Sequence, residues 1–183
     1  VSGGTTGVRY YLSGGALSQD GLRMGSSYKK VYGRINLDAN LAEWVKANVN
    51  TQVSYDDTQV SPFGSNNAVG GGLAAMNAPF ASPYDPNTGL ELERVPLLDL
   101  STPKHVISTN PAKTNAFILS ANGSLTLTPI KNLTIRSLAG LELNYGDSRS
   151  RTLPSYYRAY GNGSSQRAYS MASNVTLTNT VAY

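Results

Sequence analysis

Tyrosine and arginine are concentrated in the stretch 149–167, RSRTLPSYYRAYGNGSSQR, which offers more side-chain chemistry than any other part of the chain. Tyr156, Tyr157 and Tyr160 have flat rings that stack well on sugar rings. Arg158 lies among them, and a guanidinium binds phosphate or carboxylate groups. The stretch therefore predicts a loop that binds a ligand or a partner. The alternative, in which the tyrosines pack against one another or a neighbouring loop, stays open.

Residues for covalent or metal chemistry are scarce. His105 is the only histidine and cysteine is absent, which excludes histidine clusters, cysteine nucleophiles and disulfides. We expect His105 to be an exposed loop residue. The glycines at 70–72 lack the Lys and Ser/Thr of a phosphate-binding loop, and 84–89 forms a turn without a distal acidic calcium ligand. We predict no catalytic residue, no metal site, no cofactor and no enzyme activity.

The overall composition argues against a nucleic-acid-binding or helical protein. Only 14% of residues are charged, the net charge is +4, and basic residues are scattered singly apart from Lys29 and Lys30. The sequence contains no run of about 18 apolar residues, so it predicts no transmembrane helix. Abundant Gly, Tyr, Ser, Thr and Asn favour strands and turns.

Six stretches alternate apolar and polar residues, as strands with one apolar and one polar face do. Each is about twice as long as the roughly 5 or 6 residues of soluble strands, and long enough for the about 9 to 11 residues of a tilted membrane strand. The six stretches are 7–17, 31–42, 45–56, 114–128, 133–145 and 169–183.

The connections between these strands alternate in length. A connection of moderate length is predicted at 18–30, long connections at 57–113 and 146–168, and tight turns at 43–44 and 129–132. Long loops on one side and short turns on the other are typical of outer-membrane barrels. We therefore predict an all-β fold, an antiparallel meander of about six long strands that forms part of a large transmembrane β-barrel. Apolar residues of these strands, such as Val49, would then contact lipid.

Aromatic residues fall near the ends of the predicted strands, where barrels carry aromatic girdles at the two membrane interfaces. An alternative is that aromatic residues simply favour strand ends and clusters under loops. The predicted interface residues are Tyr55, Phe117, Tyr145 and Tyr169 at the long-loop end and Trp44 and Tyr183 at the opposite end.

Six strands cannot close a barrel of this kind, and lipid tolerates no open strand edge. We therefore expect residues 1–183 to be a partial barrel domain, with further strands elsewhere in a longer protein.

The stretch 8–55 resembles the SusC/RagA-type TonB-dependent transporters of Bacteroidetes outer membranes. The stretches LAAMNAPFASPYDPNTG (73–89) and PIKNLTIRSLAGLELNY (129–145) are also similar to that family, whereas 90–113 and 158–168 show little similarity. The matching pieces within 8–55 are 10–15, 19–21, 28–30, 34–36, 44–46 and 53–55.

This resemblance implies a 22-stranded barrel with an internal plug, located in the cell outer membrane among lipopolysaccharide. Such a protein imports oligosaccharides or peptides and is driven by TonB, which it meets through an N-terminal part outside this sequence. A SusD-like surface lipoprotein covers its outer loops. The plug and the TonB box have no counterpart in 1–183.

The residues alone are also compatible with a second class of protein. This is a soluble or surface-exposed all-β adhesin or binding module with a sandwich core. A packed core around Val49, Leu141 and Leu177 would favour it over the barrel.

Overall fold

The computed structural model describes residues 1–61, 82–95 and 100–183. These residues form nine strands, one short helix and one 3-10 turn at Tyr157–Ala159. In chain order the elements are β1 (Ser2–Gly4), β2 (Val8–Asp20), β3 (Ser27–Ala42), β4 (Val45–Val60), β5 (Arg94–Val95), β6 (Leu100–Ser101), α1 (Pro103–Thr109), β7 (Ala112–Ile130), β8 (Leu133–Thr152) and β9 (Ser164–Ala182).

Seven strands form one antiparallel sheet in the order β1-β2-β3-β4-β7-β8-β9. Each strand pairs with the strand that precedes it in this sheet, so the sheet is a meander without crossovers. The prediction of an antiparallel meander of six long strands is confirmed, and the short β1 was not predicted. Strands β5 and β6 form a separate two-stranded ladder.

The six long strands extend further toward the long connections than predicted. The connections expected at 18–30, 57–113 and 146–168 shorten to 21–26, 61–111 and 153–163. The apolar alternation fades near Tyr55, but the ladder continues through polar pairs such as Asp57 with Asn115. Backbone hydrogen bonds need no apolar side chain, and this is why the pattern underestimated the strands.

Two tight turns close the opposite end of the sheet, as predicted. One lies at 43–44 between β3 and β4, and the other at 131–132 between β7 and β8. Asn132 has a φ of 69°. Asparagine tolerates this left-handed conformation better than most residues, because its short side chain bonds locally.

Helix α1 lies within a connection predicted to be loop. The Thr102 side chain accepts a hydrogen bond from the backbone N–H of His105 at 3.3 Å, and Pro103 opens the first turn, which together start the helix. His105 is buried, so the expectation that it is exposed was wrong. In the three described ranges, no helix is long and apolar enough to cross a membrane.

The apolar core of the described residues lies in the connections, not on the sheet. Its buried hydrophobic residues are Val95, Val106 and Tyr156. On the sheet, by contrast, Val49, Leu141 and Leu177 are exposed to 44%, 38% and 67%. No packed core covers them within the described part of the chain, contrary to the sandwich alternative.

Candidate functional site

The strand register sorts the six long strands into two continuous faces. Directly paired residues of an antiparallel sheet point to the same face, and so does every second residue along each strand. We call the side that carries Val49 the apolar face and the other side the polar face. One row of the apolar face crosses all six strands and consists of Leu12, Ile35, Thr51, Ala121, Leu141 and Val175.

Charge is confined to the polar face between the row of Tyr55 and the row of Val45. Among the described residues, the apolar face carries no charged side chain between these two rows. Hydrogen bonds link the polar face across strands, as where Arg34 donates to Gln52 at 2.6 Å. The charged residues of the polar face in this region are Arg9, Arg34, Asp38, Lys46, Arg136 and Glu142.

Aromatic side chains mark the limit of the uncharged region nearer the long connections, which we call its upper limit. Tyr55, Phe117 and Tyr145 are paired in register on three adjacent strands, and Met171 continues this row on β9. The Tyr169 ring lies on the same face, with its centroid 6.3 Å from that of Tyr145. The four aromatic residues predicted for the long-loop end are therefore neighbours, and we call the row from Tyr55 to Met171 the aromatic row.

The height of the uncharged region matches a bilayer. From Tyr55 to Val45 the chain advances about 10 residues, or about 34 Å at about 3.4 Å per residue. A tilt of about 40° from the barrel axis reduces this length to about 26 Å along the membrane normal. The apolar band of outer-membrane barrels is about 25 Å tall. The strands therefore have the dimensions of membrane-spanning segments.

Comparison with known proteins places the fold. No protein-family profile and no curated protein matches the chain. The solved structures of the RagAB peptide importer in its 'closed-closed' state and of the RagAB peptide transporter each match with a TM-score of 0.83 at 23% identity over 98% of this chain. The importer in its 'open-open' state matches with a TM-score of 0.81.

The chain has the fold of a SusC/RagA-type barrel segment. It covers 21% of the first two RagAB chains and 20% of the third. The predicted fold class, part of a large transmembrane barrel, is confirmed. The sequence-based resemblance is confirmed at the level of the fold. Residues 73–81 of that resemblance lie outside the described part of the chain.

The short-turn end of this barrel segment carries the other two predicted aromatic residues. Trp44 lies in the turn between β3 and β4, and its carbonyl accepts a hydrogen bond from the backbone N–H of Thr128 at 2.8 Å. Tyr183 directly follows β9. Both side chains are exposed beyond the row of Val45. Their position agrees with the predicted interface role, which stays a prediction.

At the long-loop end of the barrel segment, Tyr156 is a packing residue. It is 6% exposed, and its ring centroid lies 5.9 Å from that of His105. The Ser101 hydroxyl donates to its phenol oxygen at 3.4 Å. Tyr156 also packs with the fully buried Val106 of α1. These contacts join the connection before β7 to the connection before β9, and we call this group of Ser101, His105, Val106 and Tyr156 the loop cluster.

The other residues of the predicted binding loop are more accessible. The Tyr157 ring contacts Tyr156 edge-on at 5.5 Å, and Arg158 Nε donates to the Tyr157 phenol oxygen at 2.6 Å. Tyr160 is 87% exposed and ends the 3-10 turn with a left-handed φ of 50°. Among the four predicted residues, Tyr160 thus has the side chain best placed to contact another molecule.

Proposed function

We propose that this chain forms part of the wall of a TonB-dependent outer-membrane importer. Its apolar face contacts lipid and its polar face lines the barrel interior. The confinement of charge to one face over a bilayer-sized height carries this proposal. A sheet in water gains nothing by keeping one exposed face free of charge, whereas lipid penalises a charged side chain by about 2–4 kcal/mol at its midplane.

The two ends of the strands give the segment its direction. Outer-membrane barrels have short periplasmic turns and long extracellular connections. The turns at 43–44 and 131–132 therefore face the periplasm, and the loop cluster faces the cell exterior. Tyr160, with Tyr157 and Arg158 beside it, is proposed to contact arriving substrate or a surface partner.

The proposed cargo is a peptide or an oligosaccharide. The structural likeness to the RagAB peptide importer supports a transporter. A SusD-like surface lipoprotein is the proposed partner over the long connections. TonB is proposed to act on a part of the full-length protein outside residues 1–183. The chain itself is proposed to have no enzymatic role.

Spin labels on neighbouring residues test which face meets lipid. The sequence contains no cysteine, so Val49→Cys and Asn50→Cys each add one thiol to this part of the protein. In the full-length protein in membranes, the label at Val49 is expected to be accessible to oxygen, which partitions into lipid. The label at Asn50 is expected to favour a water-soluble nickel chelate. Equal accessibility at both positions would contradict the proposed orientation.

Uptake assays test transport itself. Cells that depend on the full-length protein are expected to accumulate fluorescent oligopeptides or oligosaccharides, and to lose this uptake when the gene is deleted or the proton gradient is collapsed. Uptake of peptides alone or of oligosaccharides alone identifies the cargo class. Unchanged uptake of both after deletion would refute transport while leaving the spin-label result intact.

A further inference from the structure

The distribution of charge reverses above the aromatic row on strands β7, β8 and β9. Below that row, charge is confined to the polar face. Above it, charge on these three strands lies only on the side continuous with the apolar face, and their polar face from 112–116, 146–152 and 164–170 is uncharged. The outward residues are Lys113, Asp147, Arg149, Arg151 and Arg167, and we call the four cations the basic patch.

Strand register aligns three members of the basic patch. Lys113 pairs with Arg149, and Arg149 pairs with Arg167, so the three form one row across adjacent strands. Lys113 Nζ lies 2.6 Å from a carboxylate oxygen of Asp57 on β4. Four cations thus face two carboxylates, and the excess positive charge points away from the barrel interior.

Arg149 and Arg167 both donate hydrogen bonds to Asp147, which lies one outward position nearer the aromatic row than they do. Arg167 donates from Nε and Nη2 to its carboxylate at 2.9 and 2.8 Å, and Arg149 donates from Nε at 3.1 Å. Asp147 lies beyond the spanning part of β8, and the hydrogen bonds from Arg167 and then Arg149 hold its pKa far below its usual range. The Arg167 guanidinium also lies 4.6 Å from the Tyr169 ring centroid.

The guanidiniums therefore lie at the level of Asp147 and Tyr169, one outward position above the aromatic row. Two residues along a tilted strand correspond to about 5 Å along the membrane normal. The headgroup layer extends roughly 5–8 Å beyond the hydrocarbon core on each side. The Arg149 side chain, on a strand with a neighbour on each side, remains 44% exposed, which leaves guanidinium edges available for a further anion.

We propose that the basic patch binds the phosphate groups of the outer-leaflet lipid, the lipid A part of lipopolysaccharide. This inference rests on the proposed orientation in the outer membrane. Arginine forks bind phosphate through paired hydrogen bonds, and the excess of two positive charges matches a phosphomonoester of charge about −1.5 to −2. The patch faces outward at headgroup height, whereas a capping lipoprotein would sit over the mouth of the barrel.

Titration of lipid A against the full-length protein in neutral detergent tests this assignment, with bound lipid counted by native mass spectrometry. The wild-type protein is expected to prefer phosphorylated over dephosphorylated lipid A by roughly tenfold or more. The double variant Arg149→Gln with Arg167→Gln is expected to lose this preference. The matched control, Arg34→Gln with Arg136→Gln, removes the same charge from the polar face and is expected to keep it.

Three results would overturn the assignment. The double variant could retain the preference, inorganic phosphate could displace lipid A at equal concentration, or the variant could release the surface lipoprotein while lipid A binding stays unchanged. Heat-resistant migration on gels confirms that each variant has folded. The uptake and spin-label experiments use neither arginine, so failure of the transport proposal is scored independently of lipid binding.

Discussion

Val175→Arg is expected to destabilise the membrane-inserted protein by about 2–4 kcal/mol, whereas Thr176→Arg on the next residue is expected to cost less than about 1 kcal/mol. Val175 lies on the apolar face in the row of Leu141, close to mid-height between the aromatic row and Val45. Thr176 points to the polar face, where water and polar groups can solvate a guanidinium. The expected difference arises from the solvent on each side of β9.

The two residues form a matched pair because they are adjacent within β9 and point to opposite faces of the sheet. Urea titration of full-length protein folded into vesicles measures each change in the free energy of unfolding. Val175→Leu serves as a control that keeps the side chain apolar. If both arginine variants lose the same stability, β9 does not separate lipid from a polar interior, and the barrel orientation fails.

Tyr156→Ala is expected to detach the connection before β7 from the connection before β9. Loss of a buried aromatic side chain typically costs about 3–5 kcal/mol, because both its contacts and its volume disappear. The loss here falls on local opening of the loop cluster and not on the membrane strands. Since each 1.4 kcal/mol changes a population tenfold, proteolysis within 100–111 and 153–163 is expected to accelerate by roughly 100-fold or more.

Limited proteolysis of the full-length protein, read by mass spectrometry of the fragments, measures this opening. Tyr156→Phe keeps the buried ring and removes the hydroxyl that accepts the 3.4 Å bond from Ser101, so its cleavage is expected to accelerate far less than that of Tyr156→Ala. Tyr160→Ala alters an exposed ring and should also leave cleavage unchanged. Wild-type cleavage rates in Tyr156→Ala would show that other contacts hold the connections together.

The long strands were predictable because one face of the sheet is apolar and the other is polar, which produces alternating apolar and polar residues along each strand. Alternation at residues such as Ile35 and Val49 identified the strands, and the one-sided turns at 43–44 and 129–132 identified the kind of sheet. The aromatic residues Tyr55, Phe117 and Tyr145 marked the limit of the uncharged part of the apolar face, although the strands continue beyond them. A strand between lipid and a polar interior must alternate apolar and polar residues, so the local sequence is enough to predict it.

The structure of the long connections was not predictable in the same way. Helix α1 is short, and its burial depends on Tyr156, which is distant in sequence and belongs to another connection. His105 shows the same limitation, because nothing local indicates that an aromatic ring will cover it. The basic patch required the register between β7, β8 and β9, which places Lys113 beside Arg149 and Arg167. The sequence grouped Arg149 and Arg167 in one predicted binding loop, but it did not show that they share a face of the sheet with Lys113.

The uneven connections of the meander have a consequence for assembly. Strands β2 to β4 join through 21–26 and 43–44, and β7 to β9 join through 131–132 and 153–163, so each group can form by local hairpins. Only the pairing of β4 with β7 must close the connection 61–111. By the logarithmic dependence of loop closure on length, this step costs about 2 kcal/mol more than closing 21–26. We therefore expect two hairpin units to form early and to join last along the β4–β7 seam.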